Sequence, residues 1–418
     1  MYRNLSIFVL TILFLTACSA TPSPAATPTT DANAMATLVQ QGIDQTLAAL
    51  APTPTTAPTS TPTAIPIVLK KLALVSNETG AWYIYTINSD SSEKNRVSNN
   101  PQVEGTFDYS PDRKYIAYET YLDDVGNSEI YRMDADGSNV TRLTTRQPND
   151  WGPIWSPDGS KILFLSDLGN YNWEIFVMNA DGSGLINLSN STNYDVDPAW
   201  SPDGTQIAFK SGPYSDGSDT FSSDSSVTDF IKIVNAVGSG KRSLPMPENV
   251  SVPGDPAWSP DGTQIAFNCS GVYSKTEGDV ITPITFAGIC IAAADGSSVN
   301  LVYNVETELN TTGPTYHPDP VWSPDGSKIA FVGRDTDGTT DIYTMNNSGS
   351  DIIQISNSDI EMKSIPAWSR DGKMLLFVAQ QGRLLNRSFT VYIMQADGTG
   401  ITKIITTTKY QSWTIWLE

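Results

Sequence analysis

Carboxylate side chains recur at two fixed distances ahead of a repeated aromatic position, and they are the residues of this sequence best suited to bind a positively charged group. The aromatic position is filled at residues 109, 155, 200, 258, 322, 368 and 416. Five residues before it stand Glu104, Asp150 and Asp195, and three residues before it stand Asp197, Asp255 and Asp319. Up to six carboxylates around one opening would attract cations, amines or a basic patch on a partner. The structural alternative is that an Asp before Pro favours the turn into a strand and is otherwise solvated.

Aromatic side chains near the same opening offer a second kind of binding chemistry. They are Trp151, Tyr194, Tyr316, Tyr410 and Trp413. Such rings stack on sugar rings or on peptide side chains, because they are flat, apolar and, for Tyr and Trp, carry a polar group. A carbohydrate-binding protein is therefore one alternative that the sequence leaves open.

The sequence contains few candidate catalytic residues. His317 is the single histidine, so a multi-histidine zinc site is excluded and a Ser-His-Asp triad would have to use this residue. No Gly-x-Ser-x-Gly nucleophile elbow occurs. We expect a protein that binds rather than catalyses and that needs no cofactor. The enzymatic alternative is a metal-assisted lyase or hydrolase that uses the carboxylates together with His317.

One short segment has carboxylates at a spacing suited to Ca²⁺. Asp335, Asp337 and Asp341 alternate in it, but the rest of an EF-hand loop is missing. A hairpin turn is the favoured interpretation, and a Ca²⁺ site is the alternative.

All these side chains must be positioned by a repeating unit. Successive aromatic positions lie 46, 45, 58, 64, 46 and 48 residues apart, and such periods are typical of propeller blades or solenoid repeats. Each unit continues with alternating apolar runs, for example residues 328–331 and 341–346. Ser-Pro-Asp-Gly turn sequences precede the first of these runs, and in several units Ala-Asp-Gly-Ser turn sequences follow the second. Four short strands per unit without a long helix favour a propeller.

The series Trp-Ser-Pro-Asp-Gly, Ile-Ala-Phe and Ile-Tyr-x-Met-Asn-Ala-Asp-Gly resembles the WD40-like β-propeller repeats of the TolB type, over nearly all of residues 67–418. The resemblance implies an all-β fold of four-stranded antiparallel blades. TolB itself has six blades, but here residues 70–99 lack a first strand and residues 413–417 supply one with nothing after it. We therefore predict seven blades, closed by N- and C-terminal strands that share one blade. Related repeats also occur in propellers attached to peptidases, so the resemblance implies no particular activity.

The connections between strands fall into two sets at opposite ends of the predicted propeller. The turns between first and second and between third and fourth strands are tight and share one end, which we name the tight-turn face. The other connections share the long-loop face, which receives the insertions at residues 211–229, 270–288 and 303–318. Long loops on a rigid scaffold commonly carry binding. Cys269 is predicted to end one strand and Cys290 to open the next, on either side of the insertion at residues 270–288, so they could meet as a disulfide or remain as two buried thiols.

The N-terminal segment has the features of a targeting signal. Residues 1–17 contain Arg3 and a short apolar run, and the following Leu15-Thr16-Ala17-Cys18 resembles the bacterial lipobox, which implies cleavage before Cys18 and lipidation of its sulfur. An ordinary signal peptide is the alternative. Residues 18–66 are rich in Thr, Pro and Ala and predict a semi-stiff linker. Within it, residues 31–50 predict a short helix, with a self-associating stalk as the alternative.

Net charge narrows the class of partner. The chain has 25 Lys and Arg against 45 Asp and Glu, a net charge of −20, which excludes nucleic acid because phosphate binding needs clustered basic residues. We expect a monomer in the bacterial cell envelope, extracytoplasmic and attached to the membrane only through its lipid. Its predicted partner is a protein or an envelope polymer.

Overall fold

The structure, a computed structural model, describes residues 70–77, 79–99, 103–120, 127–145, 148–169, 172–213, 230–277, 280–308, 318–334, 340–356, 365–381, 388–407 and 414–417. The chain divides into two compact units, Met1–Thr53 and Pro54–Glu418, and all described residues belong to the second. Cys18, the linker and the helix expected over residues 31–50 therefore lie outside the described residues. Within the described ranges, no helix is long and apolar enough to cross a membrane.

The described residues form 28 strands in seven four-stranded antiparallel sheets. Blade 1 contains β4 (Val103–Tyr109), β5 (Tyr115–Thr120), β6 (Glu129–Asp134) and β7 (Thr141–Arg142). Blade 2 contains β8 (Asn149–Trp155), β9 (Lys161–Asp167), β10 (Trp173–Asn179) and β11 (Ile186–Asn187). Blade 3 contains β12 (Tyr194–Trp200), β13 (Gln206–Gly212), β14 (Phe230–Asn235) and β15 (Arg242–Ser243).

Blades 4 to 7 complete the ring. Blade 4 contains β16 (Val250–Trp258), β17 (Gln264–Glu277), β18 (Val280–Ala293) and β19 (Val299–Glu308). Blade 5 contains β20 (Val321–Trp322), β21 (Lys328–Arg334), β22 (Thr340–Asn346) and β23 (Ile353–Gln354). Blade 6 contains β24 (Ala367–Trp368), β25 (Met374–Gln381), β26 (Ser388–Gln395) and β27 (Thr402–Thr407). Blade 7 contains β28 (Thr414–Trp416), β1 (Lys71–Ser76), β2 (Tyr83–Asn88) and β3 (Asn95–Arg96).

Blade 7 closes the ring with strands from both ends of the domain. β28 pairs antiparallel with β1, so that Trp416 lies opposite Leu72 and Thr414 lies opposite Leu74. The Leu417 N–H also donates to the Lys71 carbonyl at 2.8 Å. The prediction of an all-β, seven-bladed propeller with a shared blade is confirmed.

The repeated Trp joins each of blades 2 to 7 to the blade before it, whereas blade 1 has Tyr109 at this position. Its indole Nε1 donates to the carbonyl of the residue that precedes the aromatic position in the preceding blade, for example from Trp200 to Ile154 at 3.3 Å and from Trp416 to Ala367 at 2.9 Å. Trp155, Trp258, Trp322 and Trp368 make the same bond. A buried indole N–H needs an acceptor, and this bond is the physical reason for a Trp at that position.

The Ser-Pro-Asp-Gly turns form a second set of contacts between blades. In blade 2, Ser156 Oγ donates to Asp158 Oδ1 at 2.6 Å, and Gly159 adopts a φ of +71° that closes the turn. A Cβ on Gly159 would lie 3.4 Å from Pro111 in the equivalent turn of blade 1. The same Gly-to-Pro contact recurs for Gly204, Gly262, Gly326 and Gly372.

The core lies between neighbouring blades rather than at one centre. Second strands contribute fully buried aromatic side chains at Tyr118, Phe164, Phe209, Phe267, Phe331 and Phe377. One cluster joins Ile231 and Ile233 of blade 3 to Ile265 and Phe267 of blade 4. Each sheet thus buries both faces, as stacked repeats must.

Blade 4 differs from the expectation of a long loop at residues 270–288. β17 and β18 run on as a paired hairpin to Glu277 and Val280, and β19 extends to Glu308. The physical reason is composition, since Val272, Tyr273, Ile281, Ile284 and Phe286 are residues that favour strands. The insertion at residues 303–318 is likewise strand as far as Glu308.

Cys269 and Cys290 are joined by a disulfide, with their Cα atoms 5.9 Å apart. The two residues lie well inside β17 and β18 rather than at the strand ends. They are also not directly opposite, because Cys269 pairs with Gly288 and Cys290 pairs with Phe267. Both side chains are buried against Ile231 and Phe286 in the core cluster between blades 3 and 4.

Candidate functional site

The first strands of the blades position the predicted carboxylates. First strands of successive blades contact one another, which makes them the innermost strands of the ring. Pairing between β12 and β13 shifts register between Val196 and Ala199, and pairing between β16 and β17 shifts between Gly254 and Ala257. Asp197 and Asp255 sit in these bulges with positive φ values of 53° and 45°. A bulge re-aims side chains, and here it turns two aspartates away from the regular alternation.

Three aspartates from consecutive blades interact at the axis, and we name them the carboxylate cluster: Asp197, Asp255 and Asp319. Asn268 Nδ2, from the second strand of blade 4, donates to Asp255 Oδ2 at 2.6 Å and to Asp319 Oδ1 at 2.7 Å. Each of the three aspartates keeps part of its surface exposed.

Burial and mutual repulsion change the protonation of the carboxylate cluster. Loss of hydration, followed by the charge of Asp255, raises the pKa of Asp319 to about 8. The same two causes raise the pKa of Asp197 to about 7, although the ammonium of Lys210 acts in the opposite direction. Like charges at one site cannot all ionise at neutral pH, so the cluster holds at least one proton that a bound cation would displace.

Asp197 is three residues from either end of β12 (Tyr194–Trp200), about 10 Å from each end of the strand at the usual rise. Asp255 lies three residues before the end of β16 (Val250–Trp258), and Asp319 lies two residues before β20 (Val321–Trp322).

The expected ring of up to six carboxylates is not formed, because two of its members, Asp150 and Asp195, differ from the expectation. Asp150 and Asp195 are fully buried, and Ser191 Oγ donates to Asp195 Oδ2 at 2.5 Å. They belong to the interior between blades and present no carboxylate to solvent. Glu104 lies in β4, and its side chain is outside the described residues.

Asp341, a member of the alternative Ca²⁺ site, has a structural role. It is fully buried, and its carboxylate accepts from Ser356 Oγ at 2.7 Å and from Gln354 Nε2 at 2.9 Å. Glu129 and Glu174 hold the hydroxyls of Thr144 and Ser189 in the same way in blades 1 and 2. An acidic residue near the start of a third strand thus fixes the fourth strand.

The other predicted ligands of that segment, Asp335 and Asp337, lie outside the described residues. Within the described ranges, no group of three or more His, Cys, Asp or Glu side chains is arranged to hold a metal ion.

The sequence did not identify Asn268 and Lys210, which lie near the carboxylate cluster, because they come from second strands. Asn268 and Lys210 follow the Ile-Ala-Phe run, where other blades have Leu165, Val332 or Val378. A polar residue at a position that is apolar elsewhere was the available signal.

Glu119 occupies the same position in blade 1 and joins blades 1 and 2. Its Oε2 accepts from the Gly152 N–H at 2.7 Å and from Thr106 Oγ1 at 2.9 Å. Asp108 was also missed; burial raises its pKa to about 7, and its Oδ2 accepts from the Trp155 N–H at 2.9 Å.

The predicted aromatic residues are partly brought together. Trp151 stacks on Trp173 with ring centroids 4.4 Å apart, and Tyr194 lies 5.7 Å from Trp173 at a tilt of 57°. All three are partly exposed near the start of their strands, which places this aromatic trio at the long-loop face between blades 2 and 3. Trp173 was not predicted. Tyr316, His317, Tyr410 and Trp413 lie outside the described residues.

Parts of the chain are similar in sequence to a known protein family and to curated proteins. Residues 39–171 match the family described as TolB beta propeller domain. An uncharacterized protein of Agrobacterium fabrum is 35% identical over 83 residues, which make up 20% of this chain and 28% of that protein. The uncharacterized peptidase YuxL of Bacillus subtilis is 26% identical over 133 residues, 31% of this chain and 17% of the peptidase. The matched part therefore spans less than a third of either curated relative.

Solved structures share the fold at low sequence identity. Oligogalacturonate lyase in complex with manganese has a TM-score of 0.55 at 14% identity, covering 74% of this chain and 82% of its own. A puromycin hydrolase has a TM-score of 0.54 at 15% identity, covering 81% and 52%. TolB from Acinetobacter baumannii has a TM-score of 0.43 at 20% identity, covering 67% and 62%. At these identities the first two likenesses show the fold alone.

The architecture therefore defines a seven-bladed β-propeller of four-stranded antiparallel blades. The family match over residues 39–171 agrees with the resemblance of these repeats to the TolB type.

Proposed function

We propose that this protein is a non-catalytic scaffold of the bacterial cell envelope that binds a basic group of a partner protein or envelope polymer through its propeller. In this proposal residues 1–17 are a signal peptide, Cys18 carries the lipid, residues 18–66 are the linker and residues 67–418 are the binding domain. The long-loop face gives the partner access to the carboxylate cluster.

The observation that supports this function is the convergence of Asp197, Asp255 and Asp319 from three consecutive blades. Each is partly exposed, and the pKa values of Asp197 and Asp319 are raised to about 7 and about 8. A lysine, arginine or amino terminus entering the channel would meet several carboxylates in a poorly hydrated place, where charge pairing is stronger than in bulk water. The Asn268 amide already donates a hydrogen bond to Asp255 and another to Asp319, as a donor on a bound partner would do.

The proposal is tested by affinity capture from envelope extract with two triple variants of equal charge change. Asp197→Asn, Asp255→Asn and Asp319→Asn together neutralise the cluster. Asp136→Asn, Asp181→Asn and Asp295→Asn remove three exposed carboxylates on the tight-turn face. A partner retained by the second variant and weakened about tenfold or more by the first supports the function. Equal retention by both, or equal loss by both, would refute it.

Lipid attachment has its own test. Wild-type protein should incorporate a radiolabelled fatty acid in bacterial cells, and Cys18→Ser should not. Labelling of the Cys18→Ser variant, or none in the wild type, would contradict the anchor without bearing on the carboxylate cluster.

A second candidate function is carbohydrate binding, favoured by the partly exposed aromatic trio. Aromatic faces stack on pyranose rings. A glycan array with wild type and Trp151→Ala tests this candidate, and hits that vanish in the variant would support it. An array without hits would remove it.

A further inference from the structure

The outer strand of blade 4 is unlike those of the other blades. β3, β7, β11, β15 and β23 have two residues each and β27 has six, whereas β19 has ten, Val299–Glu308. Proteins keep edge strands short because a long edge exposes unpaired backbone donors and acceptors to other chains. Blade 4 has the longest outer strand of the seven blades.

One edge of β19 pairs with β18, and its other edge pairs with no strand among the described residues, since β19 ends the sheet order. The extension also lacks cover from the first strand, because β16 pairs with β17 only as far as Gly271. The outer halves of β17, β18 and β19 therefore continue as a three-stranded sheet. Ile281 near its tip is 67% exposed.

The alternation of the ladder identifies which groups face outward. The Ala293 N–H donates to the Ser298 carbonyl, so every second residue of β18 from Ala293 bonds to β19. These include Ala287, opposite Val305, and Thr285, opposite Thr307. The backbone N–H and C=O groups of residues 304, 306 and 308 consequently point away from the sheet.

The side chains along this edge are polar and acidic. Asn304 and Glu306 are exposed, and Asn304 Nδ2 donates to Glu306 Oε1 at 3.2 Å. Glu308 follows two residues later in the sequence. Pairing of two copies along this edge would bring these acidic positions together between chains of net charge −20. A strand with basic side chains at alternate positions would instead be attracted.

We propose that the outer edge of β19 accepts an extended, basic segment of a partner protein as a fifth strand of blade 4. Backbone hydrogen bonds to residues 304, 306 and 308 hold the segment, and Glu306 selects for lysine or arginine. This docking edge is separate from the carboxylate cluster, which lies on inner strands.

The test uses a synthetic peptide of alternating valine and lysine, and a control peptide of equal charge in which proline replaces valine and no ladder can form. Hydrogen exchange of the amides of residues 304, 306 and 308 should slow about tenfold or more at saturating valine peptide and stay unchanged with the control. Glu306→Pro, which removes an outward N–H, should weaken binding about tenfold, whereas Glu306→Gln should weaken it only two- to threefold.

Asn304→Pro serves as a second blocking variant in case one substitution disturbs the fold, which circular dichroism and the melting temperature would reveal. Unchanged exchange at residues 304, 306 and 308, or unchanged affinity in folded proline variants, would overturn the proposal. Concentration-dependent dimers that Glu306→Pro abolishes would overturn it as well, because the edge would then serve a second copy.

Discussion

Residues at one repeat position have different roles because the local backbone differs between blades. Three residues before the aromatic position, blades 3, 4 and 5 carry Asp197, Asp255 and Asp319, whereas blade 2 carries Gly152 and blade 6 carries Ile365. Gly152 shares the positive φ of the bulge, at 62°. The bulge is thus a property of the blade, and the aspartates are a specialisation of one side of the channel.

The raised pKa of Asp319 makes stability depend on pH in a defined direction. Its value of about 8 in the folded protein exceeds the ordinary 3.8, so the folded state binds the proton more tightly. The resulting stabilisation is complete below about pH 4 and is lost as pH rises towards 8. Asp319→Asn should remove this loss, with a gain relative to wild type of at least about 1.4 kcal/mol at pH 8.5, the value of one pKa unit.

Urea unfolding of both proteins at pH 5 and pH 8.5 measures the effect. Asp181→Asn is the control, because hydrogen bonds from Ser183 lower the pKa of this exposed carboxyl, and its titration therefore falls below pH 5. An identical pH dependence in wild type and Asp319→Asn would contradict the shared proton.

The sequence predicted which residue types line the inner strands but not where their side chains point. From their spacing, all five aspartates were expected at the same opening. In the structure, the aspartates three residues before the aromatic position are partly exposed, whereas Asp150 and Asp195, five residues before it, are fully buried. Register shifts leave no mark in a periodic pattern. Asn268 stands where other blades have an apolar residue, but the sequence does not show that its strand brings it to the aspartates, because that pairing exists only in the fold.

At the scale of elements, one indole-to-carbonyl hydrogen bond recurs between neighbouring blades, in addition to the apolar core between them. Trp200→Phe should keep most of the buried ring but leave the Ile154 carbonyl without its indole donor. We expect a loss of about 1–3 kcal/mol in the free energy of unfolding. Trp173→Phe should cost less, because Trp173 is not one of the tryptophans whose indole joins neighbouring blades. Equal losses in chemical denaturation would show that ring volume, and not the hydrogen bond, matters.

The disulfide of blade 4 ties the extended hairpin to the core. Cys269 and Cys290 are 21 residues apart in sequence, and loop entropy for such a separation is worth about 3 kcal/mol. Cys269→Ala with Cys290→Ala should lower the free energy of unfolding by about 2–3 kcal/mol and speed amide exchange in β17 and β18. Wild type under reducing conditions should behave like the double variant. Exchange that rises evenly over all blades would argue against a local tie.

Blade number and closure were predictable from the sequence because incomplete repeats stood at both ends of the domain. The extension of blade 4 was not, since its insertion of 16 to 19 residues beyond the usual period of 45 to 48 fits a loop and a hairpin equally well until pairing partners are known.

At the scale of the whole molecule, closure depends on β28. Deletion of residues 414–418 removes the strand that pairs with Leu72 and Leu74 and uncovers the edge of β1. We expect a lower melting temperature, loss of a single cooperative transition and association through the uncovered edge, measured by calorimetry and ultracentrifugation. Deletion of Glu418 alone is the control and should leave all three properties unchanged. A truncated chain that stays monomeric and melts like wild type would contradict closure by this strand.

The indole-to-carbonyl bonds and the Gly-to-Pro contacts have an evolutionary consequence. Six of the seven joints between blades use the same indole-to-carbonyl bond, so gain or loss of one coding unit among them leaves each remaining joint able to re-form with a new neighbour. The number of blades can then change by unequal recombination while each remaining blade stays intact. Such a family of proteins must preserve blade 7, whose strands come from both ends of the domain, because this blade closes a ring of any number of blades.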